Sequence, residues 1–416
     1  MEYKAAIEEN KDVMIRAKGN SLDLAIHFFC FLSVLLIGAD KWGINVGVNF
    51  RLDQVFLVIL TLLLAFKDAF YFTKNSWIII FAALTLISVF FAFDFLRGVL
   101  FWFSILYNIV FIFYCFESYV RFYGLTKFIS ILRKTFYVQF FLIVVQFVLK
   151  VLFKFELSFL PSYGEYLVIP RFSLWFYEPS YLATYMVFWF ALGAYMLILK
   201  GEKSYIWDVI LSAITLVIST STSGFLGIAL VIALVYFLWI IKGITLKKII
   251  VLFIIIALIV AFRFIFSSLF DTFIARIFTS GIDSASGGRV SRWQETIEIF
   301  FKNPLFGVGP GNYGLYVNGD NTYVPSNVTL ELLATTGIFA TIAFYAITVS
   351  LIIKAFKVRT TTESKVADLL IACVFGLIIF TITLQVNQGY LRLYHWLILG
   401  VVSGGIRYCK FGLKSE

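Results

Sequence analysis

Two short stretches carry residue types able to act on an anion. The first is Arg171-Phe-Ser-Leu-Trp-Phe-Tyr177-Glu178-Pro179-Ser180. An arginine and a carboxylate flank an aromatic segment, and Pro179 suits the first turn of a following helix. Glu178 then lies at the positive end of that helix dipole, which favours its ionised form. Arg171 could bind an anion, and Glu178 could act as a base or orient an arginine. The plainer alternative is an interfacial ion pair with Glu178 as a helix-end residue.

The second stretch is Gly287-Gly-Arg289-Val-Ser-Arg292-Trp, running into a helical pattern. Ser291 and Gln294 have capping-box spacing. Residues 292–302 read as a helix with Trp293, Ile297, Phe300 and Phe301 on one face, as in a helix lying in a membrane interface. Arg289 falls just before the helix start, where free amides and the dipole attract phosphate. Arg292 either adds to that site or pairs with Glu295 at i,i+3. Pro304 ends the helix. The glycine-rich Gly307–Gly311 lacks the preceding strand that a dinucleotide loop needs, so it reads as a turn. Arg392 and His395, spaced i,i+3, form a third candidate pair. His395 is either a structural donor or a reserve base.

What is missing narrows the chemistry. Acids on the expected outer side are scattered, without an Asp-x-Asp or a His-rich cluster, so no metal is expected. There is no P-loop and no Ser-His-Asp pattern, and no cofactor is expected. The driving force must then reside in the substrate. A phosphate ester held by arginine is the simplest form.

The elements that position these residues are membrane helices. The chain has 416 residues, 61% hydrophobic and 14% charged, against roughly 45–50% and 25% in soluble domains. Apolar runs long enough to cross a bilayer recur throughout, and their lack of alternation selects helices over a barrel. The expected fold is an all-α polytopic membrane protein, one integral domain over 1–416. About twelve transmembrane helices are expected, near 22–38, 53–70, 76–93, 98–118, 134–153, 179–199, 205–220, 222–241, 248–267, 327–353, 366–386 and 391–408. Two long external loops remain, 154–178 and 268–326, the second carrying the interfacial helix. With both termini cytoplasmic, every inner loop is short and basic, as the positive-inside rule requires. The net charge of +10 is thereby accounted for without nucleic acid.

The outer face differs in kind. It holds Arg51, Arg97, Arg171, Arg263, Arg276, Arg289, Arg292 and Arg392 but only Lys41, Lys150, Lys154 and Lys302. Arginine presents a planar fork that matches phosphate; lysine does not. Arg51, Arg97 and Arg263 are read as interfacial anchors. The four cysteines fall in spans or at a cytoplasmic end, so no disulfide framework is expected.

Taken in order, several motifs resemble the O-antigen ligase/polymerase superfamily. They are Arg171…Glu178-Pro-Ser, Ser219-Thr-Ser-Thr-Ser-Gly224, Gly-Gly-Arg289…Trp293, Asn303-Pro-Leu-Phe-Gly-Val-Gly-Pro-Gly-Asn312-Tyr313, and Ser326-Asn327-Val-Thr-Leu-Glu-Leu-Leu-Ala-Thr-Thr-Gly337. The resemblance is clearest over 171–345. It implies a metal-independent glycosyltransferase of the bacterial inner membrane, acting at the periplasmic face on saccharides carried by undecaprenyl diphosphate. Arg171 and Arg289 match the arginines that hold the diphosphate. With Glu178 they form the expected catalytic set; Tyr177, Arg292, Asn312, Tyr313, Asn327, Arg392 and His395 are expected substrate contacts. Ligases of the family commonly carry a histidine where this chain has Ser326. That favours polymerisation of lipid-linked repeat units, into O-antigen or a related surface polysaccharide, over transfer to lipid A core. A chain-length regulator is a candidate partner, beside the lipid bilayer. The rival from another class, a transporter or flippase of lipid-linked sugars, would place charge at mid-membrane rather than at the outer edge.

Overall fold

A computed structural model describes residues 21–45, 49–160, 162, 165–166, 169–265, 288–320, 323–361 and 364–411. Arg276, Gly287 and the rest of 268–287 lie outside the described residues.

A helix stands in each of the twelve apolar intervals. They are α1 Ser21–Leu35, α2 Leu52–Phe66, α3 Ser76–Val89, α4 Phe95–Tyr107 continued by α5 Cys115–Tyr123, α6 Leu125–Leu152, α7 Pro179–Ala194, α8 Ile206–Ile218, α9 Thr222–Ile241 and α10 Leu246–Ile265. After two short helices, α11 Arg289–Lys302 and α12 Tyr313–Asn318, come α13 Val328–Thr361, α14 Lys365–Thr383 and α15 Leu393–Phe411. Among the described residues, six helical stretches are long and apolar enough to cross a membrane: Phe95–Tyr123, Leu125–Leu152, Pro179–Leu199, Thr222–Ile241, Val328–Thr360 and Lys365–Val386. Ser21–Leu35, Leu52–Phe66 and Ser76–Val89 are shorter apolar helices. A fifteen-residue helix such as α1 reaches about 22 Å, short of a hydrocarbon core of about 30 Å. The architecture is consistent with a helical membrane protein, in which six of the twelve expected spans have full-length, strongly apolar helices. Two small antiparallel hairpins depart from an all-α chain: β1 Gly43–Asn45 with β2 Asn49–Arg51, and β3 Glu165–Tyr166 with β4 Ile169–Pro170.

Position in the bundle follows from side-chain pattern. Every residue of α7 is buried, as expected of a helix apolar all round. It packs on α14, where Gly376 lets the Phe188 ring approach. On α15, Gly400 and Gly404 bring the backbone against Phe113 and Glu117 of the α4–α5 helix. Small residues serve this close approach between membrane helices generally. The helices α3, α9 and α10 instead turn Phe, Ile and Leu side chains outward.

Two irregularities position the site. A π-helical turn, Asn108–Tyr114, joins α4 to α5; such turns recur at functional sites because they re-aim a side chain. Here Asn108 donates from Nδ2 to the Leu391 carbonyl at 3.0 Å. The second is a break in α13 at Gly337, with φ 78° and ψ 177°. The glycine-rich segment fills this break. Val308 N–H donates to Ala334 O at 2.9 Å, Gly309 N–H to Thr335 O at 2.9 Å, and Ile338 N–H to Pro304 O at 3.0 Å. The segment expected as a simple turn is thus spliced, backbone to backbone, into the broken helix.

The interfacial helix departs from expectation in two ways. α11 begins at Arg289, capped by Gly288 in the left-handed region, and Ser291 donates back to Gly288 O at 3.1 Å. The Ser291–Gln294 capping box therefore does not form, and Arg289 is the first helical residue. On the apolar face named from sequence, Ile297 and Phe301 are 41% and 73% exposed, as a helix lying in a membrane interface would leave them, while Trp293 and Phe300 are half-buried. Thr296 and Ile299 are the buried positions.

Candidate functional site

A cavity of about 520 Å³ opens between the α4–α5 helix, the start of α7, the first turns of α13 and the segment leading into α15. Its size suits a small-molecule or saccharide cleft. Three arginines line it, Arg51, Arg97 and Arg392, together with two carboxylates, Glu178 and Glu331. Tyr177, Tyr181, Tyr313, Tyr323 and Tyr390 supply aromatic surface beside Gln54, Asn108 and Gln388.

Each arginine is fixed from behind. Asp40, on the connection after α1, accepts from Arg392 Nη1 at 2.9 Å and also from Arg51 Nη1. Arg51 further donates from Nε to Asp53 at 3.3 Å, and Asp53 is fully buried with Gly38 N–H donating to it at 3.0 Å. The Arg392 guanidinium lies 3.8 Å from the Tyr181 ring centroid. A guanidinium carries five N–H donors, more than these contacts of Arg51 and Arg392 consume. Arg97 donates from Nε to Gly311 O at 2.6 Å, which ties α4 to the glycine-rich splice.

The two carboxylates differ. Glu178 caps α7 from an extended conformation and accepts from Ser180 Oγ at 2.9 Å. Glu331 stands on the first turn of α13, and its buried Oε2 has no hydrogen-bond partner among the described residues. A carboxylate oxygen that faces a cavity without a donor is suited to accept a proton or a hydroxyl hydrogen bond from a ligand.

The sequence-named residues divide. Glu178, Tyr177, Tyr313 and Arg392 line the cavity. Arg171 and Arg289 do not line it: Arg171 leads the buried run Phe172–Phe176, and Arg289 opens α11. Arg292 clamps backbone, donating from Nε to Gly288 O at 2.9 Å and from Nη1 to Val324 O at 3.2 Å. The expected alternative partner, Glu295, instead accepts from Tyr323 at 2.9 Å. Asn312 is buried and bonds Asp94 through both amide atoms, accepting from its N–H at 3.0 Å and donating to its carbonyl at 3.2 Å. Asn327 caps α13, accepting from Leu330 N–H at 3.0 Å while donating to Gln385 O at 2.8 Å. Tyr313 hydrogen-bonds Thr296 at 3.0 Å, and burial pushes its phenol up to about 12. Its aromatic edge, rather than a phenolate, is what it offers.

Arg392 and His395 part company. Arg392 lies before α15 and reaches the cavity, whereas His395 is fully buried, stacked 5.1 Å from Phe344. The expected shared face does not exist, because only His395 lies within α15.

Sequence reasoning did not single out Glu331, Tyr181, Tyr390 or Gln388, and it took Arg51 and Arg97 for anchors. The signal for Glu331 was present: an acid one turn inside an apolar helix is a functional candidate by default. Arg51 and Arg97 carried no such mark, since an arginine at a helix end reads equally well as an anchor. No group of three or more His, Cys, Asp or Glu among the described residues could hold a metal.

Residues 209–345 match the family profile described as O-antigen ligase. No match was found among curated proteins. The matched segment supplies one wall of the cavity, from Gly311 to Thr335, while Arg51, Arg97, Glu178 and Arg392 come from outside it. The Arg171–Ser180 motif also lies outside it. Over residues 209–345 this chain is similar to the O-antigen ligase family, in keeping with the resemblance read from its motifs.

Proposed function

We propose that the cavity is the active site of a membrane glycosyltransferase that polymerises saccharide repeat units carried on undecaprenyl diphosphate. The observation that carries this reading is the sharing of one saccharide-sized cavity by three arginines and two carboxylates, beside a wall drawn from the matched segment. An acceptor sugar hydroxyl attacks the anomeric carbon of the donor chain. The new carbon–oxygen bond forms as the bond from that carbon to phosphate breaks, and the electron pair leaves with the lipid diphosphate. The hydroxyl proton passes to a carboxylate. Glu331 is favoured for this role because its Oε2 is unengaged, with Glu178, held by Ser180, as the second choice.

Cationic forks stabilise the charge that develops on the leaving diphosphate. Arg51, Arg97 and Arg392 do so from the cavity wall; Arg171 and Arg289 grip the same substrate from outside it. The aromatic rings offer stacking surface to sugar. The protein sits in the bacterial inner membrane with the cavity on the periplasmic side, and no metal takes part.

Ser326, in place of the histidine common in ligases, favours polymerase over ligase. Purified protein given lipid-linked repeat units alone is the test. A ladder of products formed without lipid A core, and unchanged by a chelator, is expected. Transfer that occurs only when lipid A core is added supports a ligase instead. Movement of the substrate between leaflets with its sugars unjoined makes the protein a transporter.

A further inference from the structure

The far end of the bundle holds a second cavity, of about 440 Å³, between the start of α3 and the distal ends of α13 and α15. Lys354, Lys357, Arg407 and Lys410 line it, and among the described residues no carboxylate does. Beyond the break at Gly337, α13 runs from Ile338, close to Thr335 in the wall of the first cavity, to Lys354 in the second, 16 residues and about 24 Å of helix. The two cavities thus lie toward opposite ends of the bundle.

The cationic site is built rather than incidental. Arg407 is anchored through Nε, which donates to Glu117 Oε1 at 2.6 Å. Glu117 is fully buried and also accepts from Ser403 Oγ at 2.8 Å and Thr73 Oγ1 at 2.6 Å. The guanidinium is thereby held at the cavity wall. Asn75 lines the cavity at 5% exposure, and its Oδ1 has no hydrogen-bond partner among the described residues. A primary amide can offer either its oxygen or its two N–H donors to a ligand. Beside these polar groups stand Leu351 and Ile406, which add apolar surface to the lining.

A cavity with four cations, a buried amide and apolar surface is matched to a phosphate that carries a hydrocarbon tail. Basic pockets between membrane helices on the cytoplasmic side are recognition sites for anionic headgroups, where anionic lipids are enriched. The lysine-rich loops of this end orient it to the cytoplasm. We propose that this cavity binds the phosphate headgroup of an anionic phospholipid from the cytoplasmic leaflet, with an acyl chain against Leu351 and Ile406. The site is independent of the glycosyl-transfer reading.

Lys354 and Lys357 are exposed on the helix surface, so replacing them leaves the fold in place. The full chain in detergent, titrated with phosphatidylglycerol and with phosphatidylcholine of the same acyl chains, tests the proposal by native mass spectrometry. Phosphatidylglycerol is expected to bind about tenfold or more tighter, and the double variant Lys354→Gln/Lys357→Gln to lose about that factor. Lys410→Gln should show a smaller loss in the same direction. Lys203→Gln, at an exposed lysine outside the cavity, should bind as the parent does. Equal phosphatidylglycerol binding by the parent and the double variant overturns the site. Equal loss on Lys203→Gln does too, because the effect is then one of overall charge. Displacement of the lipid by millimolar inorganic phosphate overturns the lipid assignment in favour of a soluble phosphate.

Discussion

Glu331 and Glu178 face one cavity but stand in different company. Ser180 engages Glu178, while Glu331 Oε2 is unpartnered. If Glu331 takes the acceptor's proton, Glu331→Gln should lower chain elongation about 10²- to 10⁴-fold, the usual worth of a general base. Glu178→Gln should then cost less than about tenfold by the same comparison. Ladders from purified variants, at matched protein level and melting temperature, give the order; the reverse order assigns the base to Glu178. The arginines separate by a subtler change. Lysine keeps the charge and loses the fork, so both Arg97→Lys and Arg289→Lys should strongly shorten the ladder. A parental chain-length distribution from Arg289→Lys removes that residue from the machinery, and leaves the diphosphate to the cavity arginines.

Among the elements, the splice between the glycine-rich segment and the broken α13 has the most consequence. It sets where Glu331 and Thr335 face and where Gly311 meets Arg97. A Cβ on Gly337 would come within 2.0 Å of Leu305 O, at a φ of +78°. Gly337→Ala is therefore expected to destabilise by more than the roughly 1–3 kcal/mol of backbone strain alone, and to abolish elongation. Gly201→Ala is the control, because its φ is +76° with nothing within 4 Å of the added atom. Its melting temperature in detergent should fall far less than that of Gly337→Ala. Equal falls would mean that strain, and not the contact with Leu305, dominates.

For the molecule as a whole, the two cavities imply a sidedness. Lys203 belongs with the lysine-rich end, whereas Asn318 of α12 lies beside the arginine-lined cavity; both are exposed. The four native cysteines are buried, so a single introduced cysteine can be labelled over a low background. In intact cells stripped of the outer membrane, an impermeant maleimide should label Asn318→Cys and spare Lys203→Cys until the membrane is lysed. Labelling of both before lysis would show that the assumed number of crossings between them is wrong.

The helical membrane class was legible from composition, because continuous apolar runs leave a chain in lipid few other options. The positions of twelve helices were legible too, since each run has clear polar ends. Their lengths were not: caps and backbone irregularities such as the breaks near Asn108 and Gly337 are set by tertiary contacts, not by hydropathy. Local motifs singled out Glu178, Tyr177, Tyr313 and Arg392, which all line the cavity. They could not distinguish Asn312 or Asn327, whose amides bond backbone, from sugar contacts. Nor could they bring Arg51 and Arg97 to Arg392 across more than 290 positions of chain. The sequence by itself determined a helical membrane bundle and flagged arginines at helix ends and in loops, because residue type and hydropathy act locally. Only the tertiary structure decided which arginines and which carboxylate share a cavity, because that depends on how buried helices pack and where two of them break.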